Sequence, residues 1–228
     1  VTQWQVGQPV FGRSAFRSAA ATHDLADADD LIAKPDRLTF TQAAALPVAV
    51  ETAHRALREL AVSAGQTLLI HAAAGGVGLT ATQLAAARGV TVIGTAGTRN
   101  HAFLRRIGAI PVTYGDGLVD RVRAAAPHGV DAVLDASGRG VLPDSITLTG
   151  TPDTVLTIAD PAAADHGVRF SGVPGPLAPA FAEALPLLEE GRLHMPVDTV
   201  YPLARTADAQ RHSEEGHLQG KIVIVIDE

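Results

Sequence analysis

Thr67-Leu68-Leu69-Ile70-His71-Ala72-Ala73-Ala74-Gly75-Gly76-Val77-Gly78 is the stretch on which the fold turns. It begins as an apolar run, passes through a glycine-rich turn, and continues into Leu79, Ala81, Leu84 and Ala85 at helical spacing. Strand, turn and helix in that order aim the backbone N–H groups of a helix N-terminus at a pyrophosphate. Small residues suit such a turn because a Cβ holds the phosphate off the backbone. The spacing is Ala73-x-Gly75-x-x-Gly78, with alanine at the first glycine position of the dinucleotide fingerprint. A glycine triplet alone says little; the strand before it and the helix after it carry the assignment.

Working outward, short apolar runs alternate with helical patterns. Strands are expected at 67–72, 90–95, 110–113, 130–135, 154–159 and 168–172, and helices at 78–87, 100–107, 118–126 and 142–148. Alternation at this spacing implies parallel pairing with crossover helices. Runs such as Leu68-Leu69-Ile70 lack polar alternation, as expected for a sheet covered on both faces. The expected architecture is α/β, a doubly wound six-stranded parallel Rossmann sheet.

The flanks differ. Pro9 makes the run around Val10-Phe11-Gly12 an edge strand or a turn. Thr41 or Thr39 caps a helix over 42–46, which Pro47 interrupts or starts afresh. A stronger helical pattern starts at Glu51 with Ala53, Ala56, Leu57 and Leu60. Residues 181–190 read as a helix stopped by Gly191, and 221–227 as a last strand that belongs with the N-terminal flank.

Composition narrows the classes. The 228 residues, 46% hydrophobic and 18% charged, suit a globular protein with a substantial core. A formal net charge of −6 argues against broad nucleic-acid binding. With no cysteine there is no disulfide framework, thiolate metal site or thiolate nucleophile. The nine histidines form no His-x-x-x-His pair near carboxylates, so no metal site is expected. Asp135-Ala136-Ser137-Gly138 is not a nucleophile elbow, and the region of Gly216, Gly220 and Lys221 is not a P-loop. Neither an export signal nor a membrane span is evident, which makes the cytoplasm the expected compartment.

The second strand of an NAD site usually ends in an acidic residue that accepts from the ribose hydroxyls. Here it ends Thr95-Ala96-Gly97-Thr98-Arg99-Asn100, and no Asp or Glu occurs from Leu60 to Gly115. A guanidinium matches a phosphate with a fixed fork of donors. The expected cofactor is therefore NADPH, with Thr95, Thr98 and Arg99 nearest the 2′-phosphate; Arg105 and Arg106 are expected as surface charges.

Ala43-Ala44-Ala45-Leu46-Pro47, then Thr52-Ala53-His54-Arg55-Ala56-Leu57, then the run from Gly65 to Gly78, together resemble the zinc-independent quinone oxidoreductases. These sit in the medium-chain dehydrogenase/reductase superfamily beside polyketide-type enoyl reductases. Gln83, Val92-Ile93-Gly94-Thr95, Gly108-Ala109, Tyr114, Val130-Asp131-Ala132-Val133-Leu134-Asp135 and Gly220-Lys221-Ile222-Val223 extend the likeness. It implies hydride transfer from NADPH to a quinone or an α,β-unsaturated carbonyl. By position it places Ala74, Gly75, Gly76 and Val77 under the pyrophosphate, with Gly78 in the same turn, and Thr95, Arg99 and Tyr114 around the adenosine phosphate. Thr52, Ser137, Gly138, Ile158, Ala159 and Lys221 fall near the nicotinamide half. No general acid is identified. Lys221 either stabilises charge developing on the substrate or makes a structural pair.

The resemblance also implies remnants of a β-rich catalytic domain at both chain ends: 1–50, then the NADP(H)-binding domain 51–180, then a C-terminal return 181–228. The family pattern begins with further β-rich sequence before Val6-Gly7-Gln8-Pro9-Val10-Phe11-Gly12. Glu51 stands where the pattern has a small or apolar residue, either altering cofactor polarity or pointing to solvent. Other possibilities are a non-catalytic NADPH-binding regulatory or assembly module, and a subunit completed by a separate chain. A homodimer is expected, because the open sheet leaves an apolar edge near 168–172.

Overall fold

The computed structural model describes residues 3–15, 20–216 and 218–226. Val1, Thr2 and Asp227, the last residue of the expected final strand, lie outside them. In chain order the elements are β1 (Val10–Gly12), β2 (Leu31–Ala33), α1 (Phe40–Ala44), α2 (Pro47–Leu60), β3 (Thr67–His71) and α3 (Gly76–Ala87). There follow β4 (Thr91–Thr95), α4 (His101–Arg106), β5 (Ala109–Val112), α5 (Leu118–Ala125), β6 (Ala132–Asp135) and α6 (Leu142–Thr149). The chain continues with β7 (Val155–Thr157), β8 (Arg169–Phe170), α7 (Leu177–Glu189), β9 (Val197–Pro202), α8 (Thr206–Glu215) and β10 (Lys221–Val225).

The central sheet has six strands in the order β5-β4-β3-β6-β7-β8, all parallel. Side-chain alternation along β3 shows why its sequence is apolar throughout. Leu68 and Ile70 pack into the layer of α2, α3, α4 and α7, whereas Leu69 packs into the layer of α5 and α6. All three are fully buried. Strand order reverses between β3 and β6, so the ends of these two strands open onto a topological switch point, where ligands of doubly wound sheets bind.

Thr39 caps α1 in a capping box with Gln42, and Pro47 opens α2 from its first turn. The first flanking run is an edge strand: β1 pairs antiparallel with β2, and Phe11 meets Phe181 of α7 edge to face at 5.1 Å. β10 packs against α1 of the N-terminal flank and pairs in parallel with β9, a strand the sequence pattern does not mark. β8 is shorter than the expected 168–172, because Ser171 and Gly175 turn toward α2. Among the described residues, no helix is long and apolar enough to cross a membrane.

Candidate functional site: the glycine turn and its cover

β3 ends at His71, and Ala72 then adopts a left-handed conformation (φ 56°) that bends the chain sharply. The turn is closed by hydrogen bonds from the Gly75 amide to the Ala72 carbonyl (3.0 Å) and from Ala73 to the Thr95 carbonyl (3.0 Å). α3 starts at Gly76 with no side-chain cap, so its first N–H groups are left for a ligand. The glycines have separate jobs. A Cβ on Gly78 would lie 2.3 Å from the Ala72 carbonyl oxygen and 2.8 Å from the Ala73 Cα, so only glycine lets α3 pack this close to the turn. A Cβ on Gly76 would instead strike the stem of Lys221, 2.8 Å from its Cε. Ala74 is buried and Val77 half-buried in the same turn.

Lys221 is brought there by β10. Gly75 and Gly220 form a parallel bridge, the Gly220 amide donates to the Ala74 carbonyl (3.1 Å), and the Lys221 amide to the Pro196 carbonyl (3.0 Å). The arm leading to β9 is pinned at its other end, where Gln83 accepts from the His194 amide (2.7 Å) and donates to its carbonyl (3.0 Å). Burial holds the Lys221 ammonium below its usual pKa, and it has no hydrogen-bond or ion-pair partner among the described residues. An unpaired cation beside a helix N-terminus is unfavourable until an anion joins them.

The turns after β4, β6 and β7 share this end of the sheet. Thr95 is buried: its hydroxyl accepts from the Ala72 amide (3.3 Å) and contacts His71 Nδ1 (3.3 Å), so it props the glycine turn from below. Thr98 and Arg99 are exposed in the short 3-10 turn that follows, and the exposed Tyr114 brings its hydroxyl close to Gly97. After β6, the buried Asp135 accepts from the Ser137 amide (2.8 Å) and hydroxyl (2.7 Å), from the Gly138 amide (3.2 Å), and from the Thr157 hydroxyl (2.8 Å). Gly138 (φ 60°) sits so near the turn after β7 that a Cβ there would lie 2.6 Å from the Ala159 carbonyl oxygen. Ile158 is half-buried and Ala159 exposed in that second turn. Thr52 is half-buried on α2, its hydroxyl donating to Glu51 at 3.4 Å.

Glu51 neither points to solvent nor enters the glycine turn. It is 3% exposed, pairs with Arg55 (2.8 Å), and accepts from the Gly175 amide (2.7 Å). Arg55, 7% exposed, continues to Ser171, whose hydroxyl donates to Glu59 at 2.8 Å. The chain of contacts ties the β8–α7 loop to α2. His71, which ends β3 and has no role assigned from the sequence, is also buried. Ser145 donates its proton to the Val141 carbonyl, so the ring donates from Nε2 to Ser145 and accepts at Nδ1 from Thr95. This sets the neutral tautomer. Burial lowers the His71 pKa from 6.5 to about 4, although the Asp135 charge pulls it upward.

The unfolded chain takes up that proton below pH 6.5, whereas the folded one resists until about pH 4. Stability is therefore expected to fall across this window by about 3 kcal/mol as pH drops. Denaturant melts from pH 7 to 4 check this: His71→Gln should show a shallower slope, and an unchanged slope would refute the assignment.

A doubly wound sheet with a glycine turn at its switch point places the chain in the Rossmann-like α/β class. The profile of the zinc-binding dehydrogenase family matches residues 107–224, and the chain belongs to that family, within the medium-chain dehydrogenase/reductase superfamily. The quinone oxidoreductase of Coxiella burnetii superposes with a TM-score of 0.87 at 32% identity, covering 98% of this chain and 74% of that one. The CurK enoyl reductase gives 0.82 at 25% identity over 100% of this chain and 74% of its own. A mycobacterial protein solved with NADPH gives 0.74 at 27% over 87% and 68%. The pikromycin polyketide synthase component PikAII of Streptomyces venezuelae is 35% identical over 247 aligned residues, 99% of this chain but 6% of that protein. The chain thus spans a small fraction of the polyketide synthases it matches. The family's name refers to zinc, but this chain has no cysteine, and no group of three His, Asp or Glu among the described residues could hold a metal. The described residues do not fit a zinc site.

Proposed function

We propose that this chain is a zinc-independent, NADPH-dependent reductase of quinones or activated C=C bonds, or the cofactor-binding part of one. The observation that carries this is the Lys221 stem laid over Gly76, at an uncapped helix N-terminus on the switch point, its ammonium without a hydrogen-bond or ion-pair partner among the described residues. That arrangement lacks only an anion, and a dinucleotide pyrophosphate supplies one. Bound NADPH would provide the hydride. The chain's own part is binding and orientation. Ala74, Gly75, Gly76, Val77 and Gly78 cradle the pyrophosphate, and Thr98, Arg99 and Tyr114 take the adenosine phosphate, with Thr95 supporting the turn from beneath. Thr52, Ser137, Gly138, Ile158, Ala159 and Lys221 border the nicotinamide half, where the Asp135 carboxylate fixes the Ser137–Gly138 turn. The segments 1–50 and 181–228 are assigned to a β-rich catalytic domain and 51–180 to the cofactor domain. Pairing of two copies through the exposed edge at Phe170 and a cytoplasmic location belong to the same proposal.

Following NADPH absorbance with a panel of quinones and α,β-unsaturated carbonyls tests the reading. Oxidation above background supports it, whereas tight binding without turnover favours a regulatory or assembly module. The lysine gives a sharper check. Lys221→Met should weaken NADPH binding about 10- to 100-fold, the loss of one charge-assisted contact. Because the substitution removes a desolvated, unpaired cation, the free protein should melt at a higher temperature. A lower melting temperature with unchanged affinity would show Lys221 to be structural.

A further inference from the structure

The residues assigned to the cofactor follow the strand order across the sheet. The adenosine end lies at β4, the pyrophosphate at β3, and the nicotinamide half at β6 and β7. β8 is the next and last strand and runs parallel to β7, so the loop leaving it emerges at the same end of the sheet. That loop is Ser171-Gly172-Val173-Pro174-Gly175-Pro176. Its two prolines have no amide to donate and its two glycines are permissive, so its shape depends on contacts from outside.

Two side chains of α2 supply them. Glu51 accepts from the Gly175 amide at 2.7 Å, and Arg55 donates to the Ser171 hydroxyl. A Cβ on Gly175 would lie 3.2 Å from Oε1 of Glu51, so glycine is what lets the loop come this near. The two anchors are joined, because Oε1 of Glu51 also accepts from Arg55 Nε at 2.8 Å. From Ser171 the contacts run on into the site. Its amide donates to the Thr157 carbonyl (2.9 Å). The Thr157 hydroxyl donates to Asp135 (2.8 Å), which shapes the Ser137–Gly138 turn, and accepts from the Ala159 amide (3.1 Å). On its other side Glu51 accepts from the Thr52 hydroxyl at 3.4 Å. One buried carboxylate thus reaches Thr52 directly, and the turns after β6 and β7 through Arg55 and Ser171.

Resting on the NADPH reading above, we propose that Glu51 is a positioning residue for the nicotinamide half. It fixes the β8–α7 loop and the Thr52 hydroxyl, and so sets the spacing of the walls between which the nicotinamide ring is held. Its carboxylate acts only through these neighbours. The adenosine half, on the far side of β3, is independent of it.

Two ligands separate the halves: NADPH carries both, whereas adenosine 2′,5′-bisphosphate has the 2′-phosphate and no nicotinamide. Direct titration gives their dissociation constants for the wild type, Glu51→Gln, and the double variant Glu51→Leu with Arg55→Met. The double variant replaces the buried pair with apolar groups, so it should keep its fold. It should bind NADPH about 10-fold more weakly, the equivalent of about one hydrogen bond, and adenosine 2′,5′-bisphosphate as the wild type does. Glu51→Gln keeps an oxygen for the Gly175 amide but loosens Arg55, so its NADPH affinity should fall about 3-fold, again with the bisphosphate unchanged. At saturation the fluorescence of NADPH on the double variant should move toward that of free NADPH. A folded double variant that binds both ligands as the wild type does overturns the proposal, as does equal weakening of both. If the double variant does not fold, Glu51→Gln decides alone, and unchanged NADPH affinity overturns the proposal. If the wild type binds neither ligand, the cofactor reading itself falls, and this inference with it.

Discussion

Gly78→Ala is expected to destabilise the protein by about 3 kcal/mol and to weaken NADPH binding at least about 10-fold. The new methyl would lie 2.3 Å from a carbonyl oxygen and 2.8 Å from a Cα, both backbone atoms of the turn, so α3 or the turn must move. Neighbouring positions give the contrast. At Gly76 the obstruction is the flexible Lys221 stem, so Gly76→Ala should keep stability but displace the ammonium and lower affinity. At Gly75 a Cβ makes an ordinary 3.4 Å contact, and φ is −73°. Gly75→Ala should therefore fold normally and affect only how closely a phosphate approaches. Thermal melts with and without NADPH for the three variants separate these roles; equal stability of Gly78→Ala and wild type would overturn the packing argument.

Glu51→Ala should cost about 3–5 kcal/mol, because it leaves the Arg55 guanidinium buried without its nearest countercharge. The Gly175 amide loses its acceptor as well. Replacing both partners with apolar residues of similar size, Glu51→Leu with Arg55→Met, should recover most of the loss, since a buried pair contributes little net stability. Urea titrations of the two single variants and the double variant decide it. A double variant less stable than either single one would show that the network does more than neutralise itself.

The alternation of short apolar runs and helical patterns revealed all six central strands, most plainly the inner ones, because a strand buried on both faces needs unbroken hydrophobicity. The flanks were harder. β9 alternates half-buried and exposed positions from Val197 to Pro202, a weak pattern in so short a run. Its partner β10 was visible, but the pairing is long-range and no local propensity encodes it. The same limit applied to the candidate site. The glycine spacing marked the turn, whereas the reason Gly76 must be small lies in Lys221, far away in sequence. Glu51 and Arg55 stand at the i, i+4 spacing of a helical ion pair, a signal that was present. Their burial depends on Ser171 and Gly175, which only the tertiary fold brings near. His71 illustrates the opposite case: it looked like part of a motif until burial and its two contacts, with the Thr95 and Ser145 hydroxyls, gave it a structural role.

The bridge between Gly75 and Gly220 bears on how the protein is made. Contacts between residues so distant along the chain carry a large loop-closure cost and form late. A ribosome exposes the whole parallel sheet and its glycine turn well before β10 is available. A nascent chain at that stage has a folded sheet but an uncovered turn, without its lysine. The cover over the glycine turn is then completed only after the sheet beneath it.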